Sequence, residues 1–303
     1  KAAALNTSIK EAELIKAVGE TFVNLLYLKE KQLLLMRSDT IFAEFLRKAE
    51  LRLAKGESNI LEKTTAEIQR GKVKIQLNEL LVQKRLLATQ LQLLMNTSLA
   101  YEPTANAFAF DMPLKSDTSL ISNHPLLRLK EQQIAISKAL TSVEKAKLLP
   151  DINLGVSSAT IRGIGPDNVL YDGGKRFNSG QVGLSIPIFA SAQRAKVKAA
   201  KIMEVEALNN FEVEKQTLQN QYQALFNAYQ NQEENLAYLK KSALPNAEVI
   251  RQIADKQFIN GDINYLEWVT LTNQSILILS DYIDAKKAFN ELAIQLYYLT
   301  SNK

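Results

Sequence analysis

The chain contains no cysteine, one histidine, one tryptophan and no run of 18 apolar residues. Without cysteine there are no disulfides and no thiolate metal sites, a composition compatible with an oxidising compartment. A single histidine, His124, beside Pro125 at a helix start, reads as a surface turn residue rather than a base, and it leaves no His-rich metal cluster. No nucleophile–base pair and no phosphate-binding loop is present. The Gly163/Gly165 pair lacks the helix of a dinucleotide site. Catalytic, cofactor-binding and metal residues are therefore all expected to be none. The missing apolar run excludes a transmembrane helix. Glycine is also scarce: seven of eleven fall between Gly155 and Gly183, so helix breakers are confined to one zone.

What is present is 46% hydrophobic and 23% charged residues over 303 positions, enough for a large core and unlike a disordered chain. The net charge is +5, but the basic residues alternate with Glu, Asp and Gln along helical patterns. That is a solvated helix surface and no nucleic-acid footprint.

The chain repeats itself. Ala49, Gly56, Asn59, Leu61, Glu62, Thr65 and Gln69 return 205 positions later as Ala254, Gly261, Asn264, Leu266, Glu267, Thr270 and Gln274. The register holds to Ala88, Gln90, Leu91 and Leu94, matched by Ala293, Gln295, Leu296 and Leu299. Each repeat is centred on a glycine between two long helical patterns, so a helical hairpin has been used twice.

In residues 1–98, Leu14, Val18, Phe22, Leu25, Leu26, Leu33, Phe42, Phe45 and Leu46 follow helical spacing to about residue 55, a length of roughly 80 Å. Gly56 is placed as a left-handed cap, and Ser58 or Asn59 can accept from the amides of a second helix over about 59–98. Residues 99–122, with Pro103 and Pro113, form a connector. A helix over 123–149, opening at Ser122 or Asn123, is stopped by Pro150. In the second repeat, residues 190–303, a heptad-spaced helix is expected to break or kink near 242–246 at Pro245 and to turn at Gly261, with Trp268 packed as core beside that turn.

Between the two repeats, in residues 150–189, the period changes to two. Ile152, Leu154 and Val156 alternate with Asn153, Gly155 and Ser157, and Val182, Leu184, Ile186 and Ile188 alternate with Gln181, Gly183, Ser185 and Pro187. Two strands of about ten residues result, joined by a polar, glycine-rich loop over about 161–180, each strand with one apolar face. On pattern alone that face suits a soluble core or the hydrocarbon of a bilayer, where barrel strands of this length carry apolar residues outward.

Four stretches carry a resemblance. They are Asn123-His-Pro-Leu-Leu running to Leu149-Pro-Asp-Ile-Asn-Leu154, Gly183-Leu-Ser-Ile-Pro-Ile-Phe189, Phe258-Ile-Asn-Gly-Asp-Ile-Asn-Tyr-Leu-Glu267, and Leu53-Ala-Lys-Gly-Glu-Ser-Asn-Ile-Leu-Glu62. In this order they resemble the outer-membrane efflux protein family, the TolC-like exit ducts of tripartite pumps. The overall look resembles ducts of the heavy-metal resistance-nodulation-division (RND) type. The resemblance implies a mainly α fold with a small β part: long antiparallel hairpins that build an α-barrel, and a strand pair of a transmembrane β-barrel. It implies a non-enzymatic homotrimer in the outer membrane of a Gram-negative cell, in contact with lipid and with helices in the periplasm. Its implied partners are a periplasmic adaptor (membrane fusion) protein and an inner-membrane pump of the RND class. The lipid-facing residues would be Ile152, Leu154, Val156, Val182, Leu184, Ile186 and Ile188. The periplasmic tips Gly56, Glu57, Ser58 and Gly261, Asp262, Ile263 would contact the adaptor, and Glu62 and Glu267 would ring the pore gate. The family carries two strand pairs per protomer, so a first pair is expected upstream of Lys1; six strands from three such chains could not close the barrel. A soluble periplasmic coiled-coil adaptor or scaffold is the alternative.

Overall fold

In the computed structural model, residues 1–103 and 118–300 are described, with side chains among the latter from Ile121 onward. The middle of the connector expected over 99–122, Pro113 included, lies outside the described residues. Helix α1 spans Ala2–Ala54 and α2 Ile60–Leu94. A 3-10 turn, Thr118–Asn123, precedes α3, Pro125–Ala146. The strands are β1, Asp151–Ile164, and β2, Leu170–Ser185. Helix α4, Ser191–Tyr238, passes through a π turn, Leu239–Ala243, into α5, Leu244–Asn260, and α6 covers Tyr265–Thr300. The chain divides into two units. One holds Leu127–Glu214 with the first two residues, the other Ala3–Leu126 and Lys215–Lys303.

The two repeats fold alike. At both turns the glycine has positive φ, +74° at Gly56 and +82° at Gly261, a region that a side chain would strain. The amide of Glu57 donates to the Arg52 carbonyl (2.8 Å) and that of Asp262 to the Gln257 carbonyl (2.9 Å), the six-to-one bond that closes a helix C-terminus. Asn59 Oδ1 then accepts from the amides of Leu61 and Glu62 and starts α2. Asn264 Oδ1 accepts from the Glu267 amide (3.1 Å) while the Glu267 carboxylate accepts from the Asn264 amide (2.8 Å), a reciprocal cap at the start of α6.

Three expectations need correction, while the break or kink expected near 242–246, at Pro245, takes the form of a local change of helix type. The π turn Leu239–Ala243 precedes Pro245, which sits in the first turn of α5, and the backbone stays helical at Leu244. An i→i+5 turn accommodates a residue that has no N–H and clashes with the preceding carbonyl. The first turn of α3 is capped by neither Ser122 nor Asn123. His124 Nδ1 accepts from the Leu126 amide (3.3 Å), and His124 is buried rather than at the surface, its ring edge-on to Tyr298. Finally, the loop expected over 161–180 is mostly strand. The two strands pair to Ile164–Leu170, and only residues 165–169 form the turn.

The core of the second unit lies between the helices of both hairpins. Phe42, Phe45 and Ala49 of α1, Ala66 and Val73 of α2, Ala254 of α5, and Tyr265, Trp268 and Val269 of α6 form one buried cluster. Repeat-equivalent Ala49 and Ala254 are both almost fully buried, because only a methyl fits where the helices approach. Further along α1, Lys31 pairs with Asp284 (2.8 Å) and Glu30 with Lys286, pinning α1 to α6.

Candidate functional site

The β-hairpin keeps its two faces chemically distinct. In the antiparallel register Ile152 faces Leu184, Leu154 faces Val182 and Val156 faces Gly180. Directly opposed residues share a face, so all five apolar side chains project from one side. Asn153 opposite Gly183, Gly155 opposite Gln181, and Ser157 opposite Ser179 make up the other, where the two serine hydroxyls bond at 2.7 Å. Leu154 is 77% exposed and Leu184 65%, so neither rests on a helix of its own chain. Five such side chains left in water would forgo on the order of 10 kcal/mol of burial. Ile186 and Ile188 are exposed as well, but β2 ends at Ser185 and they lie just past the strand. That corrects their assignment as strand residues.

Among the described residues the sheet has two strands, so each strand has one edge without a partner. At the far end, Gly165 and Asn168 (φ +57°) close the turn, the Asn168 amide donating to the Gly165 carbonyl at 3.0 Å. The register shifts between Thr160 and Arg162, where Gly173 takes φ +91°.

Helix α2 is apolar on opposite sides. Ala66, Val73 and Leu80, seven apart, are buried in the chain's own core. Leu61, Ile68, Ile75 and Val82, also seven apart, are each more than half exposed. At 100° per residue the two rows are about half a turn apart, which suits a stave with neighbours on both sides.

At the tips, Gly56, Glu57, Gly261 and Asp262 are exposed, and Ser58 and Ile263 are half-buried. Ile263 packs on the buried cluster, as does Phe258 just before the second glycine. Glu62 pairs with Arg52 at 3.4 Å, and Glu267 is held in the cap described above. Both carboxylates are thus engaged within their own hairpins. Trp268 is buried as expected, and its Nε1 donates to Asp255 (2.9 Å), whose other oxygen accepts from Arg251 (2.9 Å). Phe45 stacks on Tyr265 (centroids 4.2 Å) and Trp268 (4.7 Å) and tilts against Phe258 (5.5 Å). This aromatic set, carried by both hairpins, was not anticipated from the sequence, although Phe42 and Phe45 precede the first glycine much as Phe258 precedes the second.

No helix is long and apolar enough to cross a membrane among the described residues.

A model of the family described as outer membrane efflux protein matches residues 118–302. Comparison with the sequences of curated proteins finds no match. Among solved structures, the chain is similar to the outer-membrane channel OprN, with a TM-score of 0.89 at 16% identity, covering 100% of this chain and 69% of that one. It is similar to CusC, described in terms of transmembrane channel formation, with a TM-score of 0.89 at 17% identity over 100% of this chain and 71% of the other. The Campylobacter jejuni CmeC outer membrane channel gives 0.85 at 16% identity, over 99% and 65%.

Proposed function

Since the chain belongs to the outer membrane efflux protein family, a family of non-enzymatic channels, we propose that it is a stave of a trimeric exit duct in a tripartite efflux system. The observation that carries this reading is the hairpin: one apolar face fully open, one polar face, and unpaired strand edges. Unpaired backbone groups facing lipid each cost several kcal/mol, and closing a barrel with neighbouring strands removes every edge. The apolar face then meets hydrocarbon and the Asn, Gln and Ser face lines an aqueous lumen. The second apolar row on α2 finds its partner in a neighbouring copy, which gives the helices the same closure. Substrate passes along the lumen unchanged, driven by an inner-membrane pump of the RND class.

The tips Gly56–Ser58 and Gly261–Ile263 are the proposed contact with the periplasmic adaptor, since their exposed glycines let another backbone approach closely. Repeated round the trimer axis, Glu62 and Glu267 would place carboxylates near the narrow end and favour cations. Unchanged cation selectivity in single-channel records of Glu267→Ala would remove the ring from this account.

The test of the whole is made on the full-length protein in cells. Outer-membrane fractionation, a trimer on native gels, and protease protection of residues 151–189 in intact membranes are expected. Free digestion of that segment, or a soluble periplasmic monomer, would overturn the duct.

A further inference from the structure

The hairpin carries a second band of chemistry on the face that bears the apolar residues. Along β1 that face continues from Ile152, Leu154 and Val156 to Ser158, Thr160 and Arg162; across the ladder Asn178 faces Ser158 and Arg176 faces Thr160. Its polar part thus ends in two exposed arginines on adjoining strands. Beyond them Ile164 faces Leu170, both exposed.

The height of this band is set by strand geometry. At about 3.4 Å per residue and a tilt near 40°, Arg176 stands roughly 21 Å from the Ile152–Leu184 pair and Arg162 roughly 26 Å. A barrel's apolar belt is about 25 Å tall, so a belt whose lower edge is the Ile152–Leu184 pair ends at the height of the two guanidiniums, above the neutral Ser158, Thr160 and Asn178. Neither arginine has an ion-pair partner among the described residues. The acid nearest in register is Asp172, opposite Arg162, and one of its oxygens already accepts from the Gly174 amide (2.9 Å). Lys175 is occupied elsewhere, over the rings of Tyr171 and Phe177. Phe177 faces Ala159 on the polar side of the ladder, so this lysine is drawn away from the arginine face. Two guanidiniums against one partly engaged carboxylate leave a net positive site with planar donors suited to bidentate binding of phosphate oxygens.

From this placement we propose that Arg162 and Arg176 form a binding site for the phosphorylated headgroup of an outer-leaflet lipid, fixing the depth of the hairpin in the bilayer. The proposal rests on the membrane reading above, in which the apolar face meets lipid. The Thr160 and Asn178 side chains, flanking Arg176 on the same face, add neutral hydrogen-bonding groups for the sugar or glycerol part of such a headgroup.

The experiment uses the full-length protein reconstituted into phosphatidylcholine vesicles containing a minor fraction of lipid A. Lipid A retained on the protein after extraction into detergent is quantified for the unaltered protein, Arg162→Gln/Arg176→Gln, Arg162→Lys/Arg176→Lys and, as a remote control, Arg85→Gln. The glutamine pair is expected to retain roughly tenfold less lipid A, the lysine pair, which keeps the charge but not the planar fork, an amount between the two, and the control most of it. Equal retention by the glutamine pair, or an equal loss in the control, overturns the site. A Val156→Cys label, added to each variant, separates the two levels of the argument. If that cysteine is open to a water-soluble maleimide in the unaltered protein, the membrane reading fails with the site. If it is shielded in all variants and the glutamine pair still retains lipid A, the headgroup site alone fails.

Discussion

Phe45→Ala tests the claim that the aromatic cluster ties the two helix tips together. Phe45 is 4% exposed and belongs to the first hairpin, yet its ring stacks on Tyr265 and Trp268 of the second at 4.2 and 4.7 Å. Truncating a buried phenylalanine removes its transfer energy and leaves a cavity, about 3–5 kcal/mol in all. Each aromatic contact adds about 0.5–1.5 kcal/mol beyond buried area. Part of the loss is recovered if Phe258, already at 5.5 Å, swings into the space, so about 3 kcal/mol is the expected value. Hydrogen exchange followed by mass spectrometry reads this locally. Amides around both Gly56 and Gly261 are expected to exchange on the order of a hundredfold faster, since each ~1.4 kcal/mol is a decade in the opening equilibrium. Leu266→Ala, at an exposed position one turn past the second tip, should leave exchange nearly unchanged. Acceleration confined to the first tip would refute the coupling, because it would mean that the second hairpin holds its shape without Phe45.

Gly261→Ala is expected to destabilise the second tip by about 1–2 kcal/mol, and Gly261→Asn by clearly less. No atom lies within 4 Å of where a Cβ would stand, so the cost is backbone strain alone, and equal denaturant midpoints for the two variants would contradict it. Burial pushes the His124 imidazole below its ordinary value of 6.5, so its contribution to stability is complete above about pH 6.5 and is lost as pH falls and the unfolded chain takes up the proton first. The unaltered protein should therefore lose more stability than His124→Asn between about pH 7.5 and about pH 5, and parallel thermal melts would disprove this.

Legibility in the sequence followed the physics of each segment. The tips were readable because a glycine flanked by helical spacing and followed by Asn has few other uses, and both glycines do take positive φ. The lower half of the hairpin was readable because Ile152–Val156 and Val182–Leu184 alternate apolar residues with small or polar ones, and the ladder keeps the two sets on opposite faces. Its upper half, from Ile161 to Ile164 and back from Leu170 to Gly180, was misjudged as loop. There both faces carry polar groups, so the alternation fades although the backbone ladder continues to Leu170. Arg162 and Arg176 escaped notice for the same reason. The burial of His124 depends on Tyr298, far away in sequence, which no local pattern could reveal. The π turn before Pro245 was visible only as a disturbance, since a proline announces a missing donor but not how the preceding helix adjusts.

The central claim, that one face of the hairpin meets lipid and the other water, is open to a cysteine scan of residues 152–157. These 303 residues contain no cysteine, so within them each substitution carries a single label. With the full-length protein in native outer membranes, labels at Ile152, Leu154 and Val156 should resist water-soluble maleimide, while those at Asn153, Gly155 and Ser157 react. Uniform reactivity along the strand, or the opposite alternation, would contradict the account.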